Sequence, residues 1–146
     1  MTSPYSPLPA ETLELPVHSV TDLGQRWRTL MGELGFGERL IWFSFVGSDR
    51  RMVKVLHQME IPPEPKPRHG TDLFTLLCGV LDERSDSGLT VALLLTRPGS
   101  GPISDSDRRW STMLTETAAR FDVPIEPIFR ANDEALVLVE PIARAA

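Results

Sequence analysis

The chain has a single cysteine, Cys78, in 146 residues. One thiol closes no disulfide within a chain and leaves too few soft ligands for a thiolate zinc cluster. A disulfide-built secreted scaffold is thereby excluded, and a reducing, cytoplasmic setting is expected. Histidine is nearly as scarce. His18, His57 and His69 show none of the spacings that bring two imidazoles to one metal, such as His-x-His or His-Glu-x-x-His. His57 and Glu60 lie three apart on a predicted strand and so point to opposite faces.

Long apolar runs are missing as well. Nowhere do eighteen apolar residues follow one another, and the opening "MTSPYSPLPAETLELP" lacks the basic start and apolar stretch of a secretory signal. Neither a membrane span nor export by that route is expected. Basic clustering is absent too. Fifteen Lys and Arg face twenty Asp and Glu, for a net charge of −5, and the cations are scattered apart from pairs such as Arg50-Arg51 and Arg108-Arg109. A protein that grips duplex nucleic acid needs a basic stripe to neutralise phosphates, so that partner is excluded.

What remains is an ordinary globular composition, 41% hydrophobic and 24% charged, which places the chain among folding sequences. A compact chain of this length buries roughly 70% of the surface its unfolded form exposes, enough for a real core.

Prolines at positions 4, 7, 9 and 16 prevent a regular helix over residues 1–16, which read as an arm lying along the domain or moving freely. Residues 17–146 read as one domain. Val20, Leu23, Trp27, Leu30, Met31 and Leu34 repeat with period 3.6 and predict a first helix within residues 17–36, capped by Ser19 or Thr21 and stopped at Gly35. "ERLIWFSFV" (38–46) and "RMVKVLHQM" (51–59) are β-rich and flank a polar link, the pattern of a hairpin. The prolines of "IPPEPKPRHG" forbid ladder pairing and predict a surface crossing, followed by a second helix from about residue 71 to 83. In that helix Cys78 shares an apolar face with Phe74, Leu77 and Leu81, the place of a small buried hydrophobe.

"LTVALLLT" (89–96) is continuously apolar, as for a central strand covered on both faces. A third helix is predicted from Ser104 to about Phe121, with Trp110, Met113, Leu114 and Ala118 inward. "VPIEPIFRA" (123–131) and "ALVLVEP" (135–141) supply two last strands. The order α-β-β-α-β-α-β-β is that of an α/β protein with helices packed on a mixed central sheet. Trp42-Phe43-Ser44-Phe45 carries large groups on both faces of its strand, so the second face needs a cover from the first helix and the arm, or from a partner.

The stretch with most chemical content is "LLLTRPGSGPISDSDRRW" (93–110), which runs from the apolar strand through a glycine-rich loop into a capped helix. It resembles the metal-binding signature of the JAB/MPN superfamily, which includes the JAMM-type metalloproteases and RadC-like proteins. That signature is an apolar strand, His-x-His-Pro, a glycine-containing loop, and Ser-x-x-Asp opening a helix. Pro98-Gly99 and Ser104-x-x-Asp107 match it, and Glu38, at the start of the first strand, falls where the family carries its catalytic glutamate. The resemblance spans residues 17–141 in order of elements and implies a single JAB/MPN-like domain.

The two histidine positions fall on Leu95 and Arg97, and one residue fewer than the family spacing separates Arg97 from Ser104. In the active enzymes two neutral imidazoles and the aspartate hold zinc, and the glutamate deprotonates its water. Leu95 has no lone pair to donate, and Arg97 is a permanent cation that repels a divalent ion. An Arg97–Asp107 ion pair is the arrangement expected in the vacated site. Glu38, Leu95, Arg97, Ser104 and Asp107 are thus degenerate metal-site positions, with no catalytic residue, metal or cofactor expected.

The function this implies is a non-catalytic interaction or scaffold module, partnered by another protein or by itself as a homodimer. The arm and the proline-rich crossing are its candidate contact surfaces. Two other readings stand beside it. Arg97, Gly99, Ser100, Gly101 and Ser104 before a helix N-terminus form a possible cradle for a small anion or nucleotide. A zinc peptidase with unrecognised ligands is the third. Ser104 and Asp107 also have a purely structural use, as a helix cap and a first-turn carboxylate favoured by the helix dipole.

Overall fold

A computed structural model of the chain describes residues 5–53, 55–84 and 87–140. Its helices are α1 (Val20–Met31), α2 (Pro67–Glu83) and α3 (Asp105–Arg120), and its strands are β1 (Leu40–Val46), β2 (His57–Glu60), β3 (Thr90–Thr96), β4 (Phe129–Ala131) and β5 (Leu136–Leu138). The strands form one mixed sheet in the order β2-β1-β3-β4-β5. β1 is antiparallel to both β2 and β3, β3 is parallel to β4, and β4 is antiparallel to β5. The element order is the one the hydrophobic pattern predicts.

The two faces of β3 divide the core. Val91, Leu93 and Leu95 point with Ile41, Phe43 and Phe45 toward α2 and α3, where Leu73, Phe74, Leu77, Trp110 and Leu114 meet them. Ala92 and Leu94 point the other way, to Leu23 and Trp27 of α1. A strand covered on both faces has no use for alternation, which is why this segment is apolar throughout. Cys78 packs at the edge of the first cluster with Leu81. The second face of β1 is covered from within the chain, since Trp42 packs into the α1 cluster together with Tyr5.

Several boundaries differ from those predicted, each for a local reason. α1 is capped by Ser19, whose Oγ accepts from the Asp22 amide at 3.0 Å, and it ends at Gly32 with φ +64°, three residues before Gly35. A positive φ suits glycine, so the helix stops at the first glycine that permits it. α2 begins at Pro67, well before residue 71, because proline at the first helical position lacks only an N–H that would have no partner there. Its N-terminal end lies close to α3: a Cβ on Gly70 would stand 2.5 Å from Met113 Sδ and 2.6 Å from Thr117 Oγ1.

The second arm of the hairpin is much shorter than residues 51–59. Met52 bridges Val46, but the Ser44 hydroxyl then lies 3.0 Å from the Val53 carbonyl and 2.8 Å from the Val55 carbonyl. The Val53 amide still donates to the Phe45 carbonyl at 2.8 Å, and regular pairing starts only at His57. β4 and β5 are also three-residue strands, shorter than predicted, and the last residue of "ALVLVEP" lies outside the described residues.

The arm is neither wholly extended nor detached. Ala10–Glu14 forms a 3-10 turn, the Leu8 amide donates to Thr29 Oγ1 at 3.0 Å, and the Tyr5 ring meets Phe129 edge-on with centroids 5.7 Å apart. Gly24 of α1 makes room for Tyr5, whose ring occupies the space a Cβ would need. Arg50, at φ +65° in the turn after β1, ties that turn to the chain just before α1 and to the segment leading into β4. Its Nε donates to the Val17 carbonyl at 2.9 Å and its guanidinium pairs with Glu126 at 2.8 Å.

Candidate functional site

The Leu40↔Thr96 register of β1 with β3 and the Thr96↔Ala131 register of β3 with β4 bring three strand ends together. Arg97 leaves β3 at that end, and its amide still donates to the Ala131 carbonyl at 3.1 Å. The chain then turns through Gly99 and Gly101, at φ +99° and +92°, and enters α3. The sheet thus sets Arg97 beneath the first turn of that helix.

Ser104 caps α3, its Oγ accepting from the Asp107 amide at 3.1 Å. Asp107 returns the bond, its Oδ2 accepting from the Ser104 amide at 3.0 Å. This reciprocal arrangement aims the carboxylate inward, toward Arg97. Arg97 Nε donates to Oδ1 at 2.9 Å and Nη2 to Oδ2 at 3.1 Å, a two-point contact between buried groups. The ion pair expected from the sequence therefore forms. Burial alone would push the Asp107 carboxyl up, but the bonds from Arg97 and Ser104 and the charges of Arg97 and Arg130 hold it below the usual range.

Arg130 is the residue the sequence reading missed. It lies on β4 opposite Leu95, is 1% exposed, and its Nη1 stands 3.4 Å from Asp107 Oδ2 and 3.4 Å from the Gly101 carbonyl. Its Nε is buried without a hydrogen-bond partner. One signal was available: a cation in the middle of the apolar run "PIFRA", at a position that alternation turns toward α3.

The loop is pinned by the β4–β5 connection. Asp133 Oδ2 accepts from the Gly99 amide at 2.8 Å and its Oδ1 from the Phe36 amide at 3.0 Å. These two bonds hold its carboxyl below the usual range although it is exposed. Asn132, fully buried, donates to the Gly101 carbonyl at 3.0 Å. Of the groups counted toward an anion cradle, the Arg97 guanidinium, the Gly99 amide and the Ser104 amide all bond to acidic side chains of the chain itself.

Leu95 is buried in the core beside α3 and presents only hydrocarbon. Glu38 lies at the same end of the sheet but is exposed, and its carboxyl is hydrogen-bonded with Glu60; that bond and the like charge raise its pKa. Two of the three histidines are engaged elsewhere. His57 stacks on Phe43 with centroids 5.0 Å apart, and His69 Nδ1 accepts from the Lys66 amide at 2.9 Å. Among the described residues no three His, Cys, Asp or Glu gather as a ligand set. The zinc implied by the resemblance does not fit these residues: one ligand position is apolar, and a guanidinium already occupies the carboxylate that would remain.

The proline-rich crossing is strapped to α3. The Trp110 indole N–H points at the Pro62 and Pro63 carbonyls at 3.0 and 3.1 Å. Ser106 donates to the Pro63 carbonyl and Arg109 pairs with Glu64. An apolar cleft of about 370 Å³ opens on the other side of the sheet, lined by Leu13, Leu30, Met52, Val55 and Leu56 among others.

Neither protein-family models nor curated proteins nor solved structures match the chain. Among the described residues no helix is long and apolar enough to cross a membrane.

Proposed function

We propose that this chain is a non-catalytic JAB/MPN-like interaction module, in which an internal ion pair stands where a metal would be held. The observation that carries the reading is the Arg97 guanidinium, bonded at two points to Asp107. A group so placed satisfies the buried carboxylate with the chain's own charge and sets a fixed cation against both of its oxygens, which opposes a divalent ion there. Leu95 and the exposed Glu38 support the same reading, since the first has no lone pair to offer and the second shares a hydrogen bond with Glu60. The anion-cradle reading draws less support, because donors it requires are bonded to Asp107 and Asp133.

The partner is another protein or a second copy of this chain. Supporting this, Val55 and Leu56 are 39% and 37% exposed beside the apolar cleft, next to the arm. Concave apolar patches of this kind mark contact sites. Two measurements test the proposal. Peptide and isopeptide substrates with added zinc should show no turnover, whereas turnover abolished by Asp107→Ala overturns it. Light scattering across a concentration series should show a dimer that Leu56→Asp disperses; a monomer at every concentration removes self-association and leaves only a different protein as partner.

A further inference from the structure

We infer that Arg130 is a second, independent barrier to metal at Asp107 and the reserve counter-ion for that carboxylate. The inference rests on the reading of residues 95–107 as a replaced metal site, and it concerns a residue on a different strand. Arg97, Asp107 and Arg130 are all buried, so two guanidinium groups share one carboxylate. The division between them is unequal. Arg97 makes two bonds at 2.9 and 3.1 Å, whereas Arg130 reaches the same carboxylate only at 3.4 Å and leaves its Nε without a partner. A buried guanidinium with an unmet donor gains by moving onto a carboxylate oxygen once one is released.

The charged groups acting on Arg130 are Asp107, Arg97 and Glu134. Removing Arg97 takes away the repelling cation and frees Oδ1 of Asp107, while Oδ2 keeps the bond from the Ser104 amide. Arg130 then becomes the near partner, so the loss of Arg97 alone leaves the carboxylate compensated. For the same reason, imidazoles placed at positions 95 and 97 would still face a fixed cation beside the third ligand. At such a separation like-charge repulsion weakens divalent-ion binding by about tenfold or more. Metal exclusion at this site is therefore set twice, once from β3 and once from β4.

A double-mutant cycle in urea tests the reserve role, with Arg97→Met, Arg130→Met and both together, in the natural background and with Asp107→Asn. The pair should lower the unfolding midpoint by more than the two single shifts combined, and this excess should vanish with Asp107→Asn. Additive shifts in the natural background overturn the inference. Zinc titration tests the barrier. Leu95→His/Arg97→His should bind zinc about tenfold or more weakly than the same protein carrying Arg130→Met. Equal binding by both, or binding by neither, overturns it. Zinc bound by the unaltered chain through Asp107 is a separate result, and it would overturn the replaced-site reading itself.

Discussion

Asp107 accepts from Arg97 at both of its oxygens, at 2.9 and 3.1 Å, while the Ser104 amide donates to the same carboxylate at 3.0 Å. One side chain thus closes the cap of α3, anchors the end of β3 and neutralises a buried cation. Each of these tasks fixes the carboxylate without any ligand, and together they account for Asp107 as a structural residue.

Breaking that pair should be costly. Arg97→Ala leaves Asp107 with Arg130 as its remaining cation, and truncating one member of a buried pair typically costs about 3–5 kcal/mol. Urea unfolding should place Arg97→Ala at or below the lower end of that range, given the nearby Arg130. A change under about 0.5 kcal/mol, the scale of ordinary surface substitutions, would contradict the buried pair.

Acid should destabilise the fold through its depressed carboxylates, Asp107 and Glu126 beside the exposed Asp133. Asp107 and Glu126 are both held below their ordinary pKa values. For Glu126 the bond from Arg50 is the largest cause, and Thr90 adds another. A depressed folded value means that the unfolded chain binds protons first. The contribution is therefore complete above roughly pH 4.3, the ordinary glutamate value, and is lost as pH falls through the folded values. Urea midpoints followed from pH 7 to pH 2.5 should decline less steeply in Glu126→Gln than in the natural chain. Identical slopes would contradict the assignment.

Gly70 sets how closely α2 approaches α3. A methyl group there would meet Met113 Sδ and the branched side chain of Thr117. Thr117 Oγ1 donates to the Met113 carbonyl at 2.7 Å, a bond it would lose by turning aside. Gly70→Ala should destabilise by about 1–3 kcal/mol, the range for overpacking. Alanine's better helix propensity would instead make the change stabilising if the helices were free to separate.

Trp110 should control the proline-rich crossing. Trp110→Phe keeps most of the buried ring but loses the N–H shared by the Pro62 and Pro63 carbonyls, at a cost of about 1 kcal/mol. Limited proteolysis should then cut faster near residues 61–66. Unchanged cleavage would mean that the Arg109–Glu64 and Ser106 contacts hold the strap without it.

The elements most legible in the sequence are those whose burial matches their local pattern. α1 and α3 carry clear apolar stripes, and β3 is apolar throughout because both its faces are covered. The boundaries that moved did so through single side chains. The Ser44 hydroxyl sits against the Val53 and Val55 carbonyls just before β2 begins at His57, and Pro67 opened α2 instead of preceding it. At the site, Arg97 and Asp107 were readable as a pair through the resemblance alone, whose signature implies that both positions face one metal. Arg130 was not, because its approach depends on β4 lying parallel to β3, and no local spacing encodes that. The bonds from the Gly99 and Phe36 amides to Asp133 were hidden for the same reason, joining segments far apart in the chain.

The most direct test of an ion pair in place of a metal is the zinc content of the purified full chain, equilibrated with zinc and freed of excess, beside Asp107→Ala. The account predicts no stoichiometric zinc in either protein. One zinc per chain in the natural protein, lost in Asp107→Ala, would contradict it.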